Sequence, residues 1–244
     1  MISNTLKIFS GIILIILCNL AYAQDIEQLS CLIVPSKEIK LANEVAGVVR
    51  KINVDRGDKI RKGDILITLE HGLELAEIQL AKAKEEFLER KLDRNQDLID
   101  KGLIADYEAD EIITERNIAR LELAYAEKKL SQKLIYSPVD AVVIDKLVSI
   151  AEYAGIEPLM ILAVLDPLHA DIVLASEHYG YVTKGMKVII EPDSHTTQEY
   201  DGVVKIVDQI IDAASGTFRV QVEIQNPDLK LPAGLNCTVK FINQ

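Results

Sequence analysis

The side chains best suited to acid–base or metal chemistry are four histidines, and they lie far apart: His71, His169, His178 and His195. None has a second histidine four residues away or a cysteine nearby, as a zinc site built on one helix or loop requires. Each reads as a surface residue, with His71 placed to cap or hydrogen-bond where strand-like sequence turns helical. The densest carboxylate group is Asp106, Glu108, Asp110 and Glu111. Such a cluster suits a helix start, where negative charge offsets the positive end of the helix dipole, better than a cation site. The chain contains no GxSxG, no Walker lysine motif and no dinucleotide glycine fingerprint. Beyond residue 23 the methionines are Met160 and Met186, too few for a methionine-rich copper or silver site. No catalytic residue, cofactor site or metal site is expected, and the chain reads as a non-enzyme.

The elements that would carry any other role begin after a leader. Residues 1–23, MISNTLKIFSGIILIILCNLAYA, have one lysine, an apolar run and a closing Ala21-Tyr22-Ala23. That order predicts a signal peptide cut after Ala23, with a retained N-terminal anchor as the alternative. The remainder would be exported and soluble. The 244-residue chain carries 27 Lys and Arg against 38 Asp and Glu, a net charge of −11, which argues against nonspecific nucleic-acid binding. Two cysteines follow the leader, Cys31 and Cys237. In an oxidising compartment one disulfide or two separate buried thiols both satisfy that count. They become neighbours if residues 24–37 join the last strands.

Residues 38–70 alternate apolar and polar positions around Gly47, Gly57 and Gly63, which predicts short strands and tight turns at those glycines. From Leu73 to Leu134 there is no proline, and the single glycine is Gly102. Leu73, Ala76, Leu80, Ala83, Phe87, Arg90 and Arg94 are spaced three and four apart. So are Ala109, Ile112, Arg116, Ala119, Leu123, Ala126 and Leu130. The pattern predicts two heptad arms of about 25 residues, each roughly 38 Å long, packed as an antiparallel hairpin over residues 71–134. Gly102 is the reversal point, Asp106 the cap of the returning helix, and the seam arginines snorkel outward. One long straight helix with a tolerated glycine is the alternative.

Residues 135–165 resemble the segment before the hairpin at an offset of 94. Val48-Val49 fall on Val142-Val143, Gly57 on Ala151, Asp58 on Glu152 and Leu66-Ile67 on Met160-Ile161. Two half-domains that each lack a complete core must pair, so the hairpin reads as an insertion joining the halves of one small β-domain. Residues 166–244 supply five further strand candidates, HADIVLA, KGMKVIIEP, YDGVVKIVDQII, GTFRVQVEIQ and GLNCTVKFI, with a short helix at Ser176–Val182 capped by Ser176. They predict a small β-barrel.

These segments together resemble the periplasmic adaptors, or membrane fusion proteins, of bacterial tripartite efflux systems, of the HlyD and resistance-nodulation-division type. The resemblance rests on GVVRKINVDRGDKIRKGDILITLE, the hairpin, IYSPVDAVVIDKLV, LDPLHADIVLASEHYGYVTKGMKVII and GTFRVQVEIQNPDLKLPAGLNCTVKF, in the family's order. It implies an elongated mixed α+β fold: a split lipoyl- or biotinyl-like β-domain with an inserted antiparallel helical hairpin, followed by a small β-barrel. No carrier lysine stands at Glu70-His71-Gly72, so acyl-carrier chemistry is not implied. It also implies a periplasmic location at the inner membrane and a homo-oligomer, commonly of six copies. The implied partners are an inner-membrane transporter, of resistance-nodulation-division or ABC type, and a TolC-like outer-membrane channel. Members that engage such channels carry Arg, Leu four residues on and Ser seven beyond that, around the hairpin tip. Arg94 and Leu98 match; Ala105 stands where the serine would be. Arg94, Leu98, Gly102 and Ala105 are therefore the expected partner-binding residues. The chain stops soon after its last strand, which resembles a short adaptor lacking the membrane-proximal domain.

Overall fold

A computed structural model describes residues 29–194 and 198–242. The leader (residues 1–23) and His195 lie outside the described residues. Twelve strands and two long helices follow in the order β1 (Leu29–Ala42), β2 (Gly47–Ile52), β3 (Lys59–Ile60), β4 (Ile65–Leu69), α1 (Gly72–Asp100), α2 (Asp106–Ser131), β5 (Leu134–Tyr136), β6 (Ala141–Lys146), β7 (Tyr153–Ala154), β8 (Pro158–Ala175), β9 (Lys187–Pro192), β10 (Tyr200–Val207), β11 (Thr217–Ile224) and β12 (Asn236–Phe241). The chain divides into two compact units, residues 35–165 and residues up to 34 with 166 onward.

In the first unit the two half-domains interlock about a pseudo-twofold relation. Val143 N–H donates to the Asp58 carbonyl, and Val49 N–H donates to the Glu152 carbonyl. Gly57 N–H donates to Val143 O, and Ala151 N–H to Val49 O. Asp58 and Glu152 also accept from the amides of Asp55 and Ser149. Each of these bonds in one half reappears in the other at the offset of 94. Strand β3 pairs with β6, and β7 pairs with β2, so each half lends a short strand to its twin. The shared core holds Val49, Leu66, Ile67, Leu69, Val143, Met160 and Leu162.

Gly57 and Gly63 have φ of 90° and 92°, the left-handed region that only glycine enters without cost. Ala151, the counterpart of Gly57, takes φ 68° despite its Cβ. Gly47 is not in a turn: it opens β2. A Cβ there would stand 3.4 Å from Leu69 Cδ1 and 3.5 Å from Lys133 Nζ, so smallness beside β4 is what the position uses.

The second unit orders its strands β1-β12-β9-β10-β11-β8, and β1 also pairs with β8. Alternate residues point inward: Leu168, Ala170, Ile172 and Leu174 on β8 and Phe218, Val220, Val222 and Ile224 on β11 are buried, the period-two burial of a sheet with one apolar face. Cys31 on β1 lies opposite Cys237 on β12, and the two form a disulfide.

Two expectations here need correction. HADIVLA is not a separate strand but the second half of β8. Its first half pairs with β6 and its second with β11, and Pro167 falls between those two ladders. The helix expected at Ser176–Val182 is a single 3-10 turn, Ser176–His178, with Ala175 as its N-cap.

Candidate functional site

Helices α1 and α2 lie antiparallel, and the seam on α2 is the expected one. Ile112, Ala119 and Ala126 are buried, with Ala109, Arg116, Leu123 and Leu130 half-buried between them. Arg116 leans off the seam toward Glu89, 3.5 Å away. The seam on α1 is not the expected one. Leu73, Leu80 and Phe87 are 81%, 74% and 53% exposed, while Leu88 and Leu92 are 7% exposed. The inward stripe is Ile78, Ala81, Glu85, Leu88, Leu92, Asn95 and Ile99, again spaced three and four apart. Arm α1 carries two apolar heptad stripes, and the sequence pattern alone does not rank them.

Charge ranks them. Besides Glu89–Arg116, three ion pairs at seven-residue spacing bridge the arms: Glu77–Lys129 at 2.6 Å, Lys84–Glu122 at 2.7 Å and Lys91–Glu115 at 2.8 Å. Each seven-residue step along α1 meets a seven-residue step back along α2. The hydrogen bonds to Glu115 and Glu77 raise the pKa values of Lys91 and Lys129. Exposed pairs add little stability, but at heptad spacing they fix register. The charges coincide only when Ile78, Leu88 and Leu92 face inward.

Backbone bonds close the tip. Leu103 N–H donates to Leu98 O at 2.8 Å and Gly102 N–H to Ile99 O at 3.0 Å, with Lys101 as C-cap. This is a Schellman motif. Gly102 supplies its left-handed residue at φ 63°. Ala105, at φ −63° and ψ 141°, is the N-cap of α2. Asp106 is therefore not the cap, as the sequence suggested. It is the first helical residue, where its charge still meets the dipole. At the other end, Glu70 Oε1 accepts from the amides of His71 and Gly72, and the His71 ring bonds the Leu69 carbonyl through Nδ1.

The four expected tip residues fall within one turn and its flanks. Arg94 is exposed on α1, and Leu98 is 41% exposed. Leu103, 69% exposed, and Tyr107 add two further side chains that the sequence pattern did not single out; the signal for Leu103 was an apolar residue beside the reversal glycine. Acidic residues surround them. Among the described residues no group of three His, Cys, Asp or Glu is placed to hold a metal ion. His169 lies opposite Glu223 between β8 and β11, and burial lowers its pKa. No described helix is long and apolar enough to cross a membrane.

A helical hairpin inserted between interlocking half-domains, followed by a barrel, recurs in known proteins. Residues 170–244 match the family model of the CusB-like beta-barrel domain. A crystal structure of a MacA–MexA chimera carrying the Pseudomonas aeruginosa MexA α-hairpin domain superposes with a TM-score of 0.74 at 18% identity, covering 88% of this chain and 79% of that one. The membrane fusion protein Spr0693 of Streptococcus pneumoniae R6 gives 0.67 at 14% identity, over 89% of this chain and 99% of that one. Its fold is that of the periplasmic adaptors, or membrane fusion proteins. MacA of Actinobacillus actinomycetemcomitans shares the adaptor fold with it at a TM-score of 0.68 and 18% identity, over 88% and 78% of the two chains. In sequence, an uncharacterized protein of Haemophilus influenzae Rd is 20% identical over 199 residues, 81% of this chain. The chain spans about half, 52%, of that relative.

Proposed function

We infer that the chain is the periplasmic adaptor subunit of an efflux or export complex. It links an inner-membrane transporter, driven by protons or by ATP, to a TolC-like outer-membrane channel, and promotes transport without catalysing a reaction. The observation that carries this reading is the hairpin: a long two-helix arm inserted where two β-halves join, closed by a turn that exposes Arg94, Leu98 and Leu103. A two-helix arm of this length depends on packing for its stability, so it is worth ordering only if something packs on it or its end meets a partner. In this role the leader directs export, the chain works at the inner membrane, and several copies surround the conduit.

Each tip residue has a physical task. The Arg94 guanidinium offers a planar fork of donors to carboxylates or carbonyls of the channel. Leu98 fills an apolar groove, and Gly102 holds the turn. Ala105 allows close approach of backbone but donates no hydrogen bond. That substitution is the one feature favouring a second reading, a periplasmic scaffold without a channel partner.

Native purification of the tagged chain from cell envelopes, with identification of what comes with it, tests the proposal. An inner-membrane transporter and an outer-membrane channel are expected together. Recovery of the chain with neither refutes the adaptor role.

A further inference from the structure

The strand directions of the second unit bring two apolar segments to one end of its barrel. Strands β1, β9 and β11 begin there and β8, β10 and β12 end there, as the antiparallel registers require. The segments between β8 and β9 and between β10 and β11 therefore close that end. Leu29 and Ile242, the first and last described residues, lie at it too. This end carries Tyr179, Tyr181, Ile206, Ile210, Ile211 and Ile242, each between 39% and 82% exposed. The loops at the other end, residues 193–199 and 225–235, expose no leucine, isoleucine, valine, phenylalanine or tyrosine among their described residues. Charge divides the same way. Residues 176–187 and 205–219 hold Lys184, Lys187, Lys205 and Arg219 against Glu177, Asp208 and Asp212, and Lys205 pairs with Glu223 at 2.9 Å. The loops of the other end hold Asp193, Glu199 and Asp228 against Lys230. In a chain of net charge −11, the apolar end carries no negative excess.

We propose that this end of the barrel rests directly on the surface of a phospholipid bilayer. A lipid interface demands no matching shape. It takes apolar side chains at one level, with tyrosines and cations beside them. The isoleucines enter the boundary of the acyl chains. The tyrosine rings lie at headgroup depth with their hydroxyls toward water. Lys184, Lys187 and Arg219 reach phosphate oxygens while their stems cover apolar surface. Charge supports this occupant and sets the orientation: anionic headgroups repel the acidic remainder of the chain, and this end can approach them. The path of the chain agrees. Residues 24–28 join Leu29 to the leader and reach at most about 20 Å. A leader held in a membrane therefore keeps this same end at its surface. The inference deepens the adaptor reading, on which it rests for the identity of the membrane, the inner one.

The chain contains no tryptophan, so a single introduced one reports its own surroundings. Ile210→Trp and Gln225→Trp, made in separate copies of the full chain, place it at the two ends of the barrel, and both positions are exposed. The probe is vesicles of phosphatidylethanolamine and phosphatidylglycerol, with and without bromine on the acyl chains. Emission of Ile210→Trp is expected to shift to the blue and to be quenched by the bromine; Gln225→Trp should show neither. In the Ile210→Trp chain, Tyr181→Asp with Ile211→Asp should raise the lipid concentration for half-quenching by about tenfold or more. The same charge change at the other end, Gln198→Asp with Gln225→Asp, should raise it by much less. No quenching of Ile210→Trp, equal quenching at both positions, or half-quenching indifferent to the Tyr181 and Ile211 changes overturns the proposal. Recovery of the chain with a transporter and a channel, alongside an unquenched Ile210→Trp, strikes this inference alone and leaves the adaptor role in place.

Discussion

Replacing Leu88 by alanine should loosen the hairpin, and replacing Leu80 should not. Leu88 is 7% exposed and Leu80 is 74% exposed on the same helix. Truncating a buried leucine costs about 2–5 kcal/mol, set by how far the surroundings collapse. The hairpin is two helices thick, so its side chains relax readily and the low end applies, about 2 kcal/mol. At about 1.4 kcal/mol per factor of ten, that is a roughly thirtyfold loss of protection. Leu80→Ala removes mostly solvated surface and should change stability by less than about 0.5 kcal/mol. Native-state hydrogen exchange of the α1 amides reads both. Leu92→Ala should behave like Leu88→Ala, since it is equally buried. Equal loss of protection in Leu80→Ala and Leu88→Ala would refute the seam and the charge argument that selects it.

The pseudo-twofold turns give a paired test by thermal unfolding. Gly57→Ala should destabilise by about 1–2 kcal/mol, the penalty for a Cβ in the left-handed region. Ala151→Gly, at the equivalent φ, should be neutral or stabilising by up to about 1 kcal/mol. In the barrel, a Cβ at Gly202 would stand 2.5 Å from Val222 Cγ1 and 2.9 Å from Val188 Cγ2, so Gly202→Ala should cost about 1–3 kcal/mol by overpacking. Burial depresses the pKa of His169 below its usual 6.5. An imidazole held neutral by folding contributes stability above pH 6.5, and that contribution is lost as pH falls through the depressed value. His169→Gln should therefore flatten the decline of melting temperature below pH 6.5, and an unchanged slope would exclude this histidine as its source.

The fold was legible because its signals are local and repeated. The offset that brings Gly57 onto Ala151 also brings Asp58 onto Glu152, and those residues make the same hydrogen bonds in both halves. The seam of α2 was legible because it carries the best-aligned apolar set on that arm. The seam of α1 was not, because Leu73, Leu80 and Phe87 satisfy the heptad as well as Leu88 and Leu92 do. Only the register of Glu77, Lys84 and Lys91 against α2 breaks the tie, and that is a property of two segments together. Gly47 and Asp106 were misplaced for a related reason. Smallness against Leu69 and position one residue inside a helix look the same in sequence as a turn and a cap. At the tip, Arg94, Leu98 and Ala105 are named through the family resemblance, and their task depends on a surface that is not in this chain.

The most direct test of the account is crosslinking in living cells from Asp100 and Ala105 at the hairpin tip, using a photoreactive residue at each position in turn. The account predicts capture of an outer-membrane channel from both positions, and loss of that capture when Leu98 is changed to aspartate. Capture that persists in Leu98→Asp, or no envelope protein captured from either position by a correctly exported chain, would contradict it.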